Sequence, residues 1–268
     1  MKKVSIVTIS FNQASFLGRA IVSVLEQDYA DIEYIVVDAG STDGSRDIIK
    51  RYEPRISKII FEPDHGPADG LNKGFAHATG EILGFLNSDD VLLPGAVASA
   101  VTFLSSNNNV DVVYGHANVI DSEDRVLRIA YSDPFSLKMV AYGACVLVQP
   151  STFFKRSAFE RVRGFNINCK ASWDGQLWVD MALAGARFAR TNQIWSGYRL
   201  HSQSITSSGR LHKQQREDSL RMFRKILGRE WNRTDWLVAE ACRVTKHVSG
   251  PRALYERLLR GPIAGRTG

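Results

Sequence analysis

Two periods alternate along the first ninety residues. Val4–Phe11, Glu33–Asp38, Ser57–Glu62 and Glu81–Leu86 are short apolar runs rich in β-branched residues, and they read as strands. Between the first two, Leu17, Ile21, Val24 and Leu25 fall at helical spacing within Ser15–Gln27, with Ser15 as candidate N-cap. A second helix, capped by Asp43 or Ser45, reaches about Tyr52, and a third covers Gly66–Ala78. Near-continuous apolar strands alternating with helices predict a mostly parallel sheet covered on both faces. Ligands of such sheets sit beyond the carboxyl ends of the strands. Asn12, Asp38 and the pair Asp89-Asp90 all stand at such ends.

The second half is less regular. A helix is expected from Pro94 to about Leu104, then strands over Asp111–Asn118 and Val126–Ala130. The apolar stretch Cys145–Phe154 contains Pro150, which predicts an edge or a break there. Asp174–Ala184 has helical spacing, and Ile194–Leu200 reads as a last strand that ends at His201. The tail is helical: Leu220, Phe223 and Leu227 line one face, Asn232–Thr234 precedes a second helix, and Leu254, Leu258 and Leu259 form a further stripe.

With 268 residues and 44% hydrophobic content, the chain has material for one full core, or one core with an appendage. No apolar run approaches the roughly 20 residues that cross a bilayer. Met1–Val7 reads as the start of a strand rather than a signal peptide, and Cys145, Cys169 and Cys242, scattered and without a CxxC, read as reduced thiols. A cytoplasmic protein is expected. The net charge of +6 is uneven, because residues 210–268 hold 14 Lys and Arg against 6 Asp and Glu while the rest of the chain is about −2. Trp231, Trp236 and the leucines among these cations allow two readings: a helical cap with a solvated basic face, or a peripheral contact with an anionic membrane.

The chemistry centres on Gly84–Asp90, a buried strand followed by two adjacent carboxylates. Like charges this close call for a compensating cation, and a hard divalent ion held by oxygens would also bind phosphates. No GxGxxG follows the first strand and no GxxxxGK[ST] occurs, which disfavours dinucleotide and P-loop folds. Asp69 and Lys73, four apart, share a helix face; an exposed ion pair there is worth a few tenths of a kcal/mol.

The ordered set Val4–Asn12, Val36–Ser45, Asp64–Gly74, Leu86–Asp90, Gln149–Phe154, Trp173–Trp178 and Tyr198–His201 resembles the GT-A glycosyltransferases of family 2. The resemblance implies an α/β GT-A fold, Rossmann-like, with a C-terminal helical extension: a catalytic domain over 1–208, divided into a nucleotide-binding half (1–92) and an acceptor-side half (93–208), and a basic extension over 209–268. It implies an inverting transfer of sugar from a UDP- or dTDP-sugar to an acceptor hydroxyl, in synthesis of a surface polysaccharide. Asn87–Asp90 takes the place of the D-x-D element, with Asn87 where the first Asp usually stands. Asp89 and Asp90 are the metal candidates, joined by His201, whose imidazole favours Mn²⁺ over Mg²⁺. Asp38 resembles the nucleobase-binding Asp; Thr8, Ser10, Phe11 and Asn12 line the same pocket, with Asn87 and Ser88 beside them. Gly66, Asp69 and Lys73 fall at the phosphate and sugar. Asp174 takes the position of the general base, although a helix N-cap is an equally local reading of it. The implied partners are a nucleotide-sugar and a saccharide or lipid-linked saccharide; no nucleic acid is expected. A nucleotidyltransferase and a non-catalytic nucleotide-sugar or nucleic-acid binding module are the competing readings.

Overall fold

The structure, a computed structural model, describes residues 1–201, 211–261 and 263. Its first part follows the sequence pattern closely. β1 (Val4–Ser10), α1 (Ala14–Leu25), β2 (Ile32–Asp38), α2 (Ser45–Tyr52), β3 (Lys58–Phe61), α3 (Pro67–His77) and β4 (Ile82–Asn87) build a parallel unit in which β1 lies between β2 and β4. Then come β5 (Val91–Leu92), α4 (Ala96–Ser106), β6 (Val112–Ile120), β7 (Val126–Ala130), α5 (Leu137–Ala141), β8 (Thr152–Lys155), α6 (Arg156–Arg161), α7 (Trp173–Leu183) and β9 (Phe188–Arg199). The strand order is β3-β2-β1-β4-β8-β6-β9-β5, with β7 on β6. β8 runs antiparallel to both β4 and β6, which makes the sheet mixed.

Pro150 breaks the chain as expected, in a single 3-10 turn over Gln149–Ser151, but the strand after it is interior rather than an edge. Ser15 is not the cap of α1. The helix begins at Ala14, whose N–H donates to Asp43 Oδ2 of the neighbouring loop at 2.8 Å. That carboxylate also accepts from Ser45 N at 3.0 Å, so one residue ties down the starts of two helices.

Each sheet face carries its own core. Val4, Ile6, Tyr34 and Val36 pack under α1, α2 and α4; Val7, Ile35, Val37, Leu83 and Phe85 pack under α3, α6 and α7. The strands are buried on both faces, which is why they read as continuous apolar runs. The extension is built from α8 (His212–Leu227), α9 (Asp235–Ser249) and α10 (Pro251–Arg260). Phe223, Ala239 and Cys242 close a small core over Ala141 and Tyr142, which lie before β8. Asp235 fixes this junction: it accepts from Arg229 at 2.7 and 2.6 Å and from Tyr142 Oη at 2.9 Å. The expected domain boundary at 208 lies outside the described residues.

Helix α3 approaches β1 and β2 so closely that a methyl group at Gly74 would collide with Val7 and come within 3.1 Å of Val37 Cγ2. Alanine favours a helix over glycine by about 1 kcal/mol. Overpacking against two buried valines costs about 1–3 kcal/mol. Gly74→Ala is therefore expected to destabilise the protein in chemical denaturation; a rise in midpoint would mean that α3 can lift from the sheet freely.

Candidate active site

The strand register sets Ser10 beside Asp38 and Ile9 beside Asn87, so three strand ends meet at one level. Asp38 is fully buried. Its Oδ1 accepts from Gly40 N (3.1 Å), Ser41 N (2.9 Å) and Arg46 Nε (2.8 Å), and its Oδ2 from Ser41 Oγ (2.5 Å). Burial pushes its carboxyl up, but the Ser41 and Arg46 hydrogen bonds outweigh this and hold it below the usual range. Asp38 thus organises the loop after β2 and offers no exposed oxygen. Asn12, in the left-handed region at φ 52°, binds that same loop: its N–H donates to Ser41 Oγ at 2.8 Å and its Oδ1 accepts from Thr42 N at 2.9 Å. Phe11 is 59% exposed at this end. The Ser10 hydroxyl is buried and lacks a hydrogen-bond partner among the described residues. Thr8 lies deeper, inside the sheet, where its Oγ1 accepts from Tyr34 Oη at 3.0 Å; the strand's alternation and the Tyr34 contact keep it from the pocket.

At the start of α3, Gly66 (φ 122°) donates its N–H to Asp64 Oδ1 at 2.8 Å, so the protein itself has taken the group expected to meet an anion. Asp69 accepts from His65 N at 2.9 Å, and Lys73 stands 4.0 Å from Asp69 and 3.9 Å from Glu62. Burial raises the Asp64 carboxyl, and the charge of Asp69 nearby adds to the rise.

Beyond β4 the two adjacent carboxylates part company. Asp89 Oδ2 faces His201 Nε2 at 3.0 Å, a convergent oxygen–nitrogen pair in which the imidazole is 6% exposed and the carboxylate 21%. Asp90, expected to share the metal, turns into the protein. It is buried, and its Oδ1 accepts from Arg199 N at 2.9 Å while Oδ2 has no hydrogen-bond partner among the described residues. Burial, with Asp89 beside it, raises the Asp90 carboxyl well above the usual range. Ser88 between strand and pair is buried as well. Asn87 donates Nδ2–H to Gln149 Oε1 at 3.1 Å; Gln149 in turn donates to Phe85 O at 2.8 Å.

Arg199 was not singled out from the sequence, yet it holds this region together. Its side chain is fully buried; Nε donates to Asp89 O at 2.7 Å, one terminal nitrogen to Asp121 O at 2.6 Å, and the other pairs with Asp124. Phe16 of α1 packs against both the Arg199 guanidinium and, at 4.6 Å between centroids, the His201 ring. Only the Tyr198–His201 motif hinted at these contacts, which join residues up to 110 positions apart.

Asp174 is the second residue of α7, not its cap; Ser172 occupies that position. The start of α7 is fixed from the extension, where buried Asp218 accepts from Ala171 N at 3.1 Å and Ser172 N at 3.0 Å. The Asp174 carboxylate meets only backbone N–H groups of its own helix turn, among the described residues. Burial raises it above the usual range, against a partial lowering by the Gly175 and Asp174 N–H groups. It lines a cavity of about 420 Å³ together with Gln149 and Pro150. Among the described residues no three His, Cys, Asp or Glu converge as a complete protein metal cage.

A profile described as Glycosyl transferase family 2 matches residues 5–163. An uncharacterised glycosyltransferase of Mycobacterium tuberculosis is 35% identical over 67% of this chain and 69% of its own length. One from Nostoc is 40% identical over 47% of the chain, a match that spans only 39% of that relative's length. The Escherichia coli UDP-Glc:alpha-D-GlcNAc-diphosphoundecaprenol beta-1,3-glucosyltransferase WfaP is 26% identical over 78% of the chain and 81% of its own. Among solved structures, Staphylococcus aureus TarS 1-349 superposes with TM-score 0.66 at 17% identity over 97% of this chain and 76% of that one. A Pyrobaculum calidifontis mannosyltransferase in complex with GDP-Man and Mn²⁺ does so with TM-score 0.66 at 20% identity over 98% and 76%. The fold is that of the GT-A glycosyltransferases. The chain belongs to glycosyl transferase family 2 and is a glycosyltransferase.

Arg199→Met keeps an unbranched apolar stem as far as the position of Nε but strands the Asp89 and Asp121 carbonyls. Each unsatisfied buried acceptor costs about 1–3 kcal/mol. The variant is expected to lose about 2–5 kcal/mol of stability by denaturation. A loss below about 1 kcal/mol would mean that solvent or another donor reaches these carbonyls.

Proposed function

We propose that this chain is an inverting, metal-dependent transferase that moves a sugar from a UDP- or dTDP-sugar to a hydroxyl of a saccharide or lipid-linked saccharide, in synthesis of a surface polysaccharide. The observation that carries the reading is the Asp89–His201 pair at the carboxyl end of β4, together with an Asp174 carboxylate that meets only backbone N–H groups of its own helix turn among the described residues and lines a cavity. Similar proteins also use nucleotide-sugars: WfaP is named for UDP-Glc, a TarS structure is a complex with UDP-GlcNAc, and the mannosyltransferase structure holds GDP-Man.

Asp89 and His201 fit a divalent ion, one oxygen and one nitrogen ligand at convergent positions, and the nitrogen favours Mn²⁺, with Mg²⁺ as the alternative. Bound there, the ion supplies Lewis-acid neutralisation of the departing nucleoside diphosphate. The rest of its shell would come from ligand oxygens and water. Asn12, Phe11 and the loop held by Asp38 receive the nucleoside, which limits the motion of the donor relative to Asp174. Asp174 accepts the proton of the acceptor hydroxyl as the acceptor oxygen bonds to the anomeric carbon. The bond from that carbon to the diphosphate oxygen breaks on the opposite face, and the electron pair leaves with the nucleoside diphosphate.

Asp174 works in its ionised form, so activity falls as pH drops through its pKa. Because that pKa is raised, the acid limb of kcat/KM is expected above the unperturbed carboxylate value of about 4. Asp174→Asn should lower kcat by about 10²–10⁴ and remove that limb. Calorimetric binding of UDP or dTDP with Mn²⁺ should stay unchanged in the variant and be lost with chelator. Full activity of Asp174→Asn would eliminate it as the base, and metal-independent nucleotide binding would eliminate the Asp89–His201 assignment.

No helix among the described residues is long and apolar enough to cross a membrane. Leu258 and Leu259 on α10 are 76% and 62% exposed, and Val248 at the end of α9 is 77% exposed, with Arg252, Arg257 and Arg260 nearby in sequence. This supports peripheral contact with an anionic bilayer, on its cytoplasmic face. The protein is expected to float with anionic but not neutral liposomes, and Leu258→Ser with Leu259→Ser to reduce flotation; equal flotation of the double variant would remove α10 from the contact.

A further inference from the structure

A second cavity, of about 390 Å³, lies beside the one at Asp174 and shares Ile129, Tyr131, Asp133 and Ala253 with it, but Asp174 does not line it. Three elements meet there. β6 brings His116, β9 brings Arg190 and Asn192, and the extension brings the turn from α9 into α10, Ser249 to Ala253. The volume falls within the roughly 300–1,000 Å³ of small-molecule sites.

Donors outnumber acceptors around this space. His116 is 6% exposed, and its Nδ1 accepts from Ser132 N at 3.1 Å, which places the proton of the neutral ring on Nε2. Burial and the charge of Arg190 lower the pKa of the imidazole, against a rise from Asp133, so the neutral ring is the resting form. Its Nε2–H has no acceptor among the described residues, and a buried N–H left so is costly. One terminal nitrogen of Arg190 donates to Ser132 O at 3.0 Å. The rest of that guanidinium, and all of the Arg252 guanidinium, have no hydrogen-bond or ion-pair partner among the described residues. The lining carboxylate, Asp133, is already engaged by Lys246 at 2.8 Å and Val146 N at 2.9 Å. α10 begins at this cavity with Pro251, which has no N–H, and its first turn holds no acidic residue. The N–H groups of Arg252 and Ala253 have no acceptor among the described residues. The positive end of a ten-residue helix therefore borders the same space as His116 and Arg190.

A carboxylate has two oxygens in one plane. A phosphate presents three or four around a tetrahedral centre and meets donors from three elements at once. A bare phosphate, a few times the roughly 30 Å³ of one water, leaves room over. Ile129, Pro134 and Ile194 give an organic remainder an apolar wall. We propose that this second cavity binds a phosphate group carried on a small molecule or a lipid headgroup, held by His116, Arg190 and the first turn of α10, and that its occupation fastens the extension to β6 and β9. The site is separate from the Asp89–His201 and Asp174 assignments and does not draw on them.

The test is calorimetric titration of the full chain with glycerol 3-phosphate and with inorganic phosphate. About 0.15 M salt screens non-specific attraction, and chelator keeps metal-bound phosphate at Asp89 and His201 out of the signal. Both phosphates are expected to bind, and acetate at least about tenfold more weakly. His116→Asn retains an acceptor for Ser132 N but has no N–H at the Nε2 position. Arg190→Glu and Arg252→Glu, at exposed positions that leave folding intact, reverse the charge. Each variant should weaken glycerol 3-phosphate at least about tenfold, and Arg216→Glu, exposed on α8 outside the cavity, should not. Hydrogen exchange of the α10 amides should slow on binding. Flotation with phosphatidic acid vesicles that falls in Arg190→Glu assigns the group to a lipid headgroup, and unchanged flotation assigns it to a soluble phosphate; either agrees with the site. The proposal is overturned if neither phosphate binds, if acetate binds as tightly, if the three variants bind as the parent does, or if binding leaves α10 exchange unaltered.

Discussion

The active end of this protein depends on one buried guanidinium. Arg199 ends β9, and its side chain reaches the loop after β4 through Asp89 O and the turn after β6 through Asp121 O and Asp124. Its own backbone N–H secures Asp90. A planar fork of five donors can hold three segments at fixed angles, which a lysine cannot. Desolvating the charge is costly, and the cost is met by carbonyl and carboxylate acceptors whose geometry is thereby set. His201 follows two residues later, so the same clamp that aligns β9 with the carboxylate loop delivers the imidazole to Asp89. Phe16, packed on both Arg199 and His201, links that clamp to α1.

Around this clamp, four aspartates of identical chemistry acquire four different tasks from their surroundings. Asp38 is saturated with donors, stays ionised and shapes a loop. Asp90 is buried next to another acid, so its ionised form is disfavoured and its use is as a hydrogen-bond partner of β9. Asp89 keeps partial access to solvent and a nitrogen neighbour, the setting suited to a cation. Asp174 sits at the start of a helix, where backbone N–H groups favour its charge while burial opposes it. The base proposed here must be ionised in the resting enzyme yet basic enough to take a proton, and these opposing influences would serve both needs.

The parallel unit was legible in the sequence because its strands are buried on both faces and its helices are amphipathic; Val4–Phe11 and Leu17–Leu25 carry that information locally. Strand-end positions brought Asn12, Asp38 and Asp89 together for the same reason. What could not be read locally was decided by long-range contacts. Nothing near Thr8 signals that Tyr34 will hold its hydroxyl inside the sheet. Nothing near Ser15 signals that Asp43 will start α1 from another loop. The difference between Asp89 and Asp90 is set by Arg199, more than a hundred residues away, so adjacent letters with equal propensity had to be treated as competitors.

The family match ends at residue 163, before both Asp174 and His201. These two residues are instead held by elements packed around them. Asp218 of α8 accepts the N–H groups that start α7, and Lys225 pairs with Asp180 further along the same helix at 2.7 Å. α8 is itself fixed to α5 through Phe223 and, by way of Arg229 and Asp235, through Tyr142. The orientation of Asp174 is therefore coupled to the docking of the extension, because a helix start with unsatisfied N–H groups frays or finds new partners. An appendage that only solubilised or tethered the domain would need none of these contacts. Their placement at the first turn of the helix carrying Asp174 ties the basic tail to the geometry of the proposed base.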